Sequence, residues 1–403
     1  MSAVVLASPA PAQPAQAAHW GGIYAMTLCV FALIASEFLP VSLLSPIAAA
    51  LAVSEGLAGQ GIAISGAFAV LTSLCIARLA GGMDRKTLLL ALTALMALSG
   101  ALVAWSPDYA TYLVGRALIG VVIGGFWSLS AATAMRLVPA RSVPRALAIF
   151  NGGNALATVV APPLGSYLGT LVGWRGAFLC LVPVALLALA WQWRSLPAMP
   201  PAAAAAAPRR AGPLGLLRQR RVVVGVAASG LFFMGQFALF TYVQPFLANA
   251  VGAGAAALSL ILLTIGVAGL FGTALIGGVI RRSLYAPLVV IPLLMAGIAL
   301  ALASPGVSVA AAGVWLGLWG LLATAAPVGW WSWLAQALPH DAEAGGGLMV
   351  AVIQLSIAAG STAGGLLYDQ GGHRSTFLTS AFVLLAAACL AWRAARLHAA
   401  ARP

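Results

Sequence analysis

Apolar residues run along this chain in stretches of about twenty, cut by short turns rich in Gly, Pro, Ser and Arg. About 20 apolar residues cross a bilayer core as a helix, which satisfies its own backbone hydrogen bonds where water is absent. The pattern predicts twelve spans. The first set covers residues 20–43 and 57–79, a third span ending near Trp105 and a fourth ending before Arg136. The fifth contains Pro162-Pro163, and the sixth runs from Phe178 to Trp193. The second set covers about 222–247, 255–280, 284–304, 307–331, 347–367 and 376–392. The fold class expected is all-α integral membrane, with twelve transmembrane helices in two six-helix, pseudo-symmetric halves.

The polar stretches divide the chain. Residues 1–19 are Ala- and Pro-rich with no basic n-region, and read as a disordered cytoplasmic tail instead of a cleaved signal. Residues 20–194 form an N-terminal half and 222–396 a C-terminal half, with 397–403 a second cytoplasmic tail. Between them, 195–221 is a Pro/Ala-rich cytoplasmic linker carrying Arg209, Arg210, Arg218, Arg220 and Arg221. The halves repeat: Gly173-Trp174-Arg175 through Leu179 reappears as Gly372-His373-Arg374 through Leu378, an offset of 199, and Arg85-Lys86 reappears as Arg281-Arg282, an offset of 196. Two equivalent halves imply a central site at their interface.

Composition agrees with the pattern. The chain is 62% hydrophobic and 7% charged, against roughly a quarter charged for a soluble domain. The net charge of +13 would suit a nucleic-acid binder, but 17 of the 20 basic residues fall in alternate loops and the tails. That is the positive-inside pattern, placing both termini and the linker on the cytoplasmic side of the membrane. Cys29, Cys75, Cys180 and Cys389 all lie in apolar runs and imply neither a disulfide framework nor a metal site. Expected partners are a small-molecule substrate, protons and the lipid bilayer, with no nucleic acid, no cofactor, no metal and no enzymatic chemistry; the chain reads as a monomer.

Seven acids exist in the chain. Glu55, Asp108, Asp341, Glu343 and Asp369 lie in or beside loops, Asp84 sits in a basic turn with Arg85 and Lys86, and Glu37 alone falls well inside a span. An acid at membrane depth is expensive and marks a functional site by default. Glu37 lies 14 residues past Ile23, roughly 21 Å into the membrane at 1.5 Å per residue. Arg116, the basic residue at comparable depth, falls in the same layer, and a buried acid and base at one level are driven to pair. The pair reads either as a proton-coupling site or as a permanent structural ion pair. Pro40 cannot donate to the Ser36 carbonyl and loosens the helix beside the acid.

Other constellations are less charged. Arg116, Gly120 and Gly124 recur every four residues, continued by Trp127 and Ser128. Gly153, Ala157, Ala161, Gly165 and Gly169 make a small-residue stripe that lets membrane helices approach closely. Pro162 and Pro163 are expected to bend that span. In the seventh span Phe232, Gln236, Phe240 and Gln244 fall on one predicted helical face, where aromatic rings could stack on a flat ligand and amides could serve its polar edge. Plain helix packing is the alternative. Asn154, Gln354 and Trp330 are further lining candidates, although Trp330, Trp331 and Trp333 read first as an interfacial belt.

These features resemble the major facilitator superfamily, in particular its bacterial drug:proton antiporter branch. Leu113-Val114-Gly115-Arg116 through Gly120 resembles that family's fourth-span motif, whose Arg is associated with proton transfer. Gly153 through Pro162, continuing to Gly165, resembles its fifth-span antiporter motif and implies export. The family's turn between spans two and three carries an acid at the position aligned with Gly81; here Asp84 is the nearby acid. Glu37 to Leu44, Ser54 to Gln60, Gly124 to Trp127, Gly235 to Tyr242, Pro327 to Trp330 and Val350 to Leu355 are similar to the purine ribonucleoside efflux permeases. That similarity implies proton-coupled export of purine ribonucleosides such as inosine and guanosine and their analogues. A broader drug or sugar exporter of the same superfamily is one alternative, and a non-transporting membrane sensor or scaffold another.

Overall fold

The computed structural model describes residues 18–79, 82–139, 142–200, 213–338 and 342–399. Most of the N-terminal tail, Gly81, Arg141, Arg209, Arg210, Asp341, the middle of the linker and the end of the C-terminal tail lie outside the described residues.

The apolar stretches fold as helices. α1 is Trp20–Ser42, α2 Glu55–Leu79, α3 Arg85–Ala104 and α4 Tyr109–Arg136. α5 (143–172) and α6 (174–195) are parted by Gly173, whose φ of 71° is open to glycine without a Cβ penalty. α7 is Arg220–Phe240, α8 Ala255–Arg282, α9 Tyr285–Leu302 and α10 Val309–Ala337. α11 (342–371) and α12 (373–399) are parted by Gly372 at φ 66°. Across that second break Thr376 Oγ1 donates to Gly364 O at 3.0 Å, so the chain folds back on itself. Ten helices among the described residues are long and apolar enough to span a membrane, and the two longest each make two passes, giving the twelve expected spans.

Polar residues between the stretches start the helices. Asp84 Oδ1 accepts from the Lys86 and Thr87 amides at 2.8 and 3.3 Å, Asp108 Oδ1 from Thr111 N at 2.8 Å, and Ser308 Oγ from Ala311 N at 3.2 Å. Each satisfies an amide that the first helical turn leaves free. The Thr111 amide also holds the Asp108 carboxyl, in its turn outside the spans, below its ordinary value. The linker is anchored by more than charge. Leu196 and Met199 are buried, Asp84 Oδ2 accepts from Met199 N at 2.6 Å, and Arg136 Nη2 donates to Pro200 O at 3.2 Å. The 3-10 helix Pro213–Arg218 buries Leu216 against the C-terminal half.

Both halves have their own apolar core, and the repeat is visible in their packing. Gly173 and Gly372, 199 positions apart, make the same break; Trp174 packs edge-on to Phe178 as His373 does to Phe377. A Cβ on Gly120 would meet Ser65 O, and one on Gly320, 200 positions later, would meet Ile265 O, again 200 positions later. Arg116 maps by that offset onto buried Leu316, so the second half has no counterpart of the deep cation.

The halves meet through α2 against α11 and α5 against α8. At the end away from the Arg-rich turns they are tied together. Ser54 Oγ donates to Asp369 Oδ2 at 2.5 Å, Gly56 N to Asp369 Oδ1 at 2.9 Å, Asn249 Nδ2 to Glu55 Oε1 at 2.9 Å and Thr362 Oγ1 to Gln60 Oε1 at 3.0 Å. Ser45 Oγ also donates to Glu55 Oε1. This end is closed.

Candidate functional site

Pro40 sits inside α1 and supplies no amide to the carbonyl of Ser36. Arg116, 1% exposed, fills that gap: Nη1 donates to Ser36 O at 2.8 Å. Its other donors reach Gly61 O (Nε, 3.1 Å), Ser65 Oγ (Nη2, 3.3 Å) and Glu37 O (Nη2, 3.5 Å). The planar guanidinium suits several fixed acceptors at once. Gly120 and Gly124 continue the same face of α4 onto the backbone of α2 at Ser65 and Ala69, which fixes Arg116 in register with Gly61.

The expected carboxylate–guanidinium pair therefore takes another form. Arg116 engages Glu37 through its main-chain carbonyl, because the proline break leaves α1 carbonyls in need of donors. The Glu37 carboxyl still feels the Arg116 charge and the side-chain amide of Gln354, contributed by α11 of the other half. Glu37 is half-buried, whereas Gln354 is buried with its Oε1 unmatched by any protein donor.

The internal offset of 199 explains where this acid lies. It carries Glu37-Phe38 onto Gln236-Phe237 and Ser45-Pro46 onto Gln244-Pro245. In the fold these equivalents touch: the rings of Phe38 and Phe237 stack at 6.2 Å, and Ser45 N donates to Gln244 Oε1 at 2.8 Å. α1 and α7 therefore meet along the pseudo-two-fold axis, with the acid Glu37 on one side and the neutral amide Gln236 at the matching position on the other. A cleft beside the axis is lined by Phe38, Thr158 and Pro162 from the first half and by Gln236, Phe237, Phe240, Trp319 and Thr324 from the second.

The sequence-predicted residues divide. Gln236 and Phe240 line this cleft, and Phe240 packs against Phe38 at 6.4 Å. Gln244 does not share their face: α7 ends at Phe240, and Gln244 lies in the separate helix Val243–Pro245, bonded to Ser45. Phe232 and Trp330 are buried together in the C-terminal core, ring centroids 6.4 Å apart, so Phe232 is packing and Trp330 is neither lining nor belt. Trp333 is buried beside Trp330, and Trp331 alone of the three is exposed. Trp127 and Asn154 are half-buried; Trp127 packs edge-on to Phe150, and Asn154 lends its carbonyl to Thr158 Oγ1 at 2.9 Å.

The small-residue stripe of α5 packs on α1, where Cβ atoms on Gly153, Gly165 and Gly169 would meet Thr27, Leu39 with Ser42, and Leu43. Pro162 and Pro163 stay within helical backbone; the break comes at Gly173. Arg85 and Lys86 open α3 beside Asp84. Sequence reasoning missed Phe38, Phe237 and Trp319. The 199-residue offset applied to Glu37-Phe38 would have found the first two; Trp319 carries no local signal.

A twelve-helix, two-half bundle with a cleft beside its pseudo-two-fold axis is a multi-pass membrane transporter fold. The family profile described as Major Facilitator Superfamily matches residues 26–361. The chain belongs to the major facilitator superfamily. It is 38% identical over 373 residues, 92% of this chain and 93% of the relative, to the purine ribonucleoside efflux pump NepI of Escherichia coli strain K12. It is 62% identical over 389 residues, 96% of this chain and 97% of the relative, to a Pseudomonas aeruginosa protein named transcription regulatory protein OpdE. Among solved structures it resembles an inward-facing, unoccupied bacterial homologue of the human lysosomal transporter Spinster, with TM-score 0.76, 15% identity and coverage of 94% and 97%. It also resembles a D-xylose-proton symporter, with TM-score 0.71, 19% identity and coverage of 93% and 96%.

Proposed function

We propose that this chain is a proton-coupled exporter of purine ribonucleosides such as inosine and guanosine, acting as a monomer in the bacterial cytoplasmic membrane. The observation that carries the reading is the placement of Glu37 on the pseudo-two-fold axis beside a cleft of aromatic rings and an amide. Similarity to a purine ribonucleoside efflux pump supports the substrate class. The Arg-rich end, with both termini, faces the cytoplasm by the positive-inside rule.

In the proposed cycle, substrate enters from the Arg-rich end while the opposite end is held shut at Asp369 and Glu55. Rocking of the halves opens that end, substrate leaves and Glu37 takes a proton. Return to the inward state changes the contacts of Glu37 with Gln354 across the interface, and the proton is released inside. A membrane potential of 100 mV alone supplies about 2.3 kcal/mol for each charge moved inward. Arg116 acts as a fixed support that holds the broken α1 backbone beside the acid. The test is inosine-gradient-driven proton movement in inverted vesicles: substrate-dependent flux is expected, and its absence sinks the nucleoside reading.

A second reading is favoured by the regulatory name of the 62% identical relative. Under it the chain senses a solute, and gene expression responds. A Glu37→Gln chain, which should lose uphill export, separates the two in cells: loss of any transcriptional effect makes regulation a consequence of proton-driven export, and its persistence makes the chain a sensor.

A further inference from the structure

A buried polar atom with no partner is costly, so such atoms gathered on one cleft point to a ligand that satisfies them. Trp319 is fully buried in α10 and lines the axial cleft; its indole Nε1 finds no protein acceptor. Gln236 lines the same cleft from α7, and its Oε1 finds no protein donor. The other unmatched atoms among the described residues, on Arg85, Ser130, Trp174, Gln192 and Gln354, belong to residues that do not line this cleft. One unmatched donor and one unmatched acceptor thus belong to residues that line the cleft together with Phe38, Phe237 and Phe240, rings on which a flat heterocycle can stack.

The two sides of the axis differ in kind. Glu37 gives the first half an ionisable group, whereas its equivalent Gln236, with Trp319, gives the second half a neutral donor and acceptor. An indole N–H only donates, so it requires an acceptor on the ligand. We infer that Trp319 and Gln236 determine base specificity, with Trp319 Nε1–H donating to the C6 carbonyl of a 6-oxopurine and Gln236 Oε1 accepting from its N1–H. Hypoxanthine and guanine offer that order of acceptor and donor. Adenine reverses it, presenting an amino donor beside an unprotonated N1. The cleft therefore selects inosine and guanosine over adenosine.

This inference rests on the nucleoside reading, and the experiment separates the two. Uptake of radiolabelled inosine, guanosine and adenosine is measured in inverted vesicles carrying the full chain. The unaltered protein is expected to show KM values for inosine and guanosine about 10-fold below that for adenosine, the worth of one well-placed hydrogen bond. Trp319→Phe keeps the ring and removes only the N–H; Gln236→Leu removes the acceptor independently. Each is expected to raise the inosine KM about 10-fold and to collapse the inosine-to-adenosine preference, with maximal rates little changed. Size-exclusion profiles establish that both variants are folded. An unaltered preference in both folded variants overturns the specificity assignment alone. Failure of the unaltered protein to move any of the three nucleosides overturns the export reading and this inference with it.

Discussion

Arg116 donates to the carbonyl of Ser36 at 2.8 Å, the carbonyl that Pro40 leaves without its helical partner. The deep cation is thus a surrogate for a missing backbone amide as well as a neighbour of an acid. Arg116→Ala should destabilise the chain by about 3 kcal/mol, because several buried carbonyls lose their donor. In a Pro40→Ala background, where residue 40 again has an N–H, the same change should cost about 1 kcal/mol less. A double-mutant cycle on thermal stability in detergent measures this, and strict additivity would exclude the link.

Glu37→Gln keeps the side-chain shape and removes its titratable proton. Downhill nucleoside movement should persist, while export against a gradient driven by a pH difference should fall at least about 10²-fold, the scale of losing a positioned proton carrier. Counterflow and ΔpH-driven accumulation, measured on one vesicle preparation, make the comparison. Wild-type uphill export in the variant would remove Glu37 from the coupling step.

Much of this site was legible in the sequence. Counting acids isolates Glu37, and the scarcity of charged residues relative to a soluble domain, 7% against roughly a quarter, leaves few rivals. Depth from helical rise put Arg116 at the right level. It could not say which atoms meet, since the choice between a carboxylate and a carbonyl depends on side-chain direction across three helices. The seventh-span face failed for a local reason: α7 stops at Phe240, so a period of 3.6 carried past that point assigns Gln244 to a face that no longer exists. Phe232 and Trp330 failed because periodicity identifies a face without saying whether it turns to a cleft or to a neighbouring helix.

Asp369 accepts two hydrogen bonds from the first half, one of them from Gly56 N at the start of α2. A Cβ on Gly56 would run into the Asp369 side chain and the Gly365 carbonyl. Asp369→Ala and Gly56→Ala should both favour opening of this end, the former by about 2–3 kcal/mol through loss of charge-assisted bonds. Spin labels at the exposed positions Ala110 and Ser304, on opposite halves, should report a longer distance in each variant. Unchanged distances would show that the closed end does not depend on these bonds.

Two glycines in adjacent spans should respond in opposite ways to one methyl group. A Cβ on Gly124 would collide with the backbone of Ala69, whereas one on Gly152, exposed on α5, would meet nothing within 4 Å. Gly124→Ala should lower stability by about 1–3 kcal/mol through overpacking. Gly152→Ala should be neutral or raise it by about 0.5 kcal/mol through reduced backbone entropy. Paired melting curves decide, and equal shifts would contradict the close approach of α4 to α2.

The contact between Ser45 and Gln244 joins positions that the repeat makes equivalent, yet the two partners are chemically unlike: a backbone amide on one side and a side-chain oxygen on the other. On a true two-fold axis each residue would face its own copy, and Glu37 would confront a second carboxylate where Gln236 now stands. The neutral amide of Gln236 avoids that repulsion and makes the halves lock and key for one another. Two copies of either half would lack the complementary partner at this junction, so the symmetry of the architecture does not extend to its chemistry.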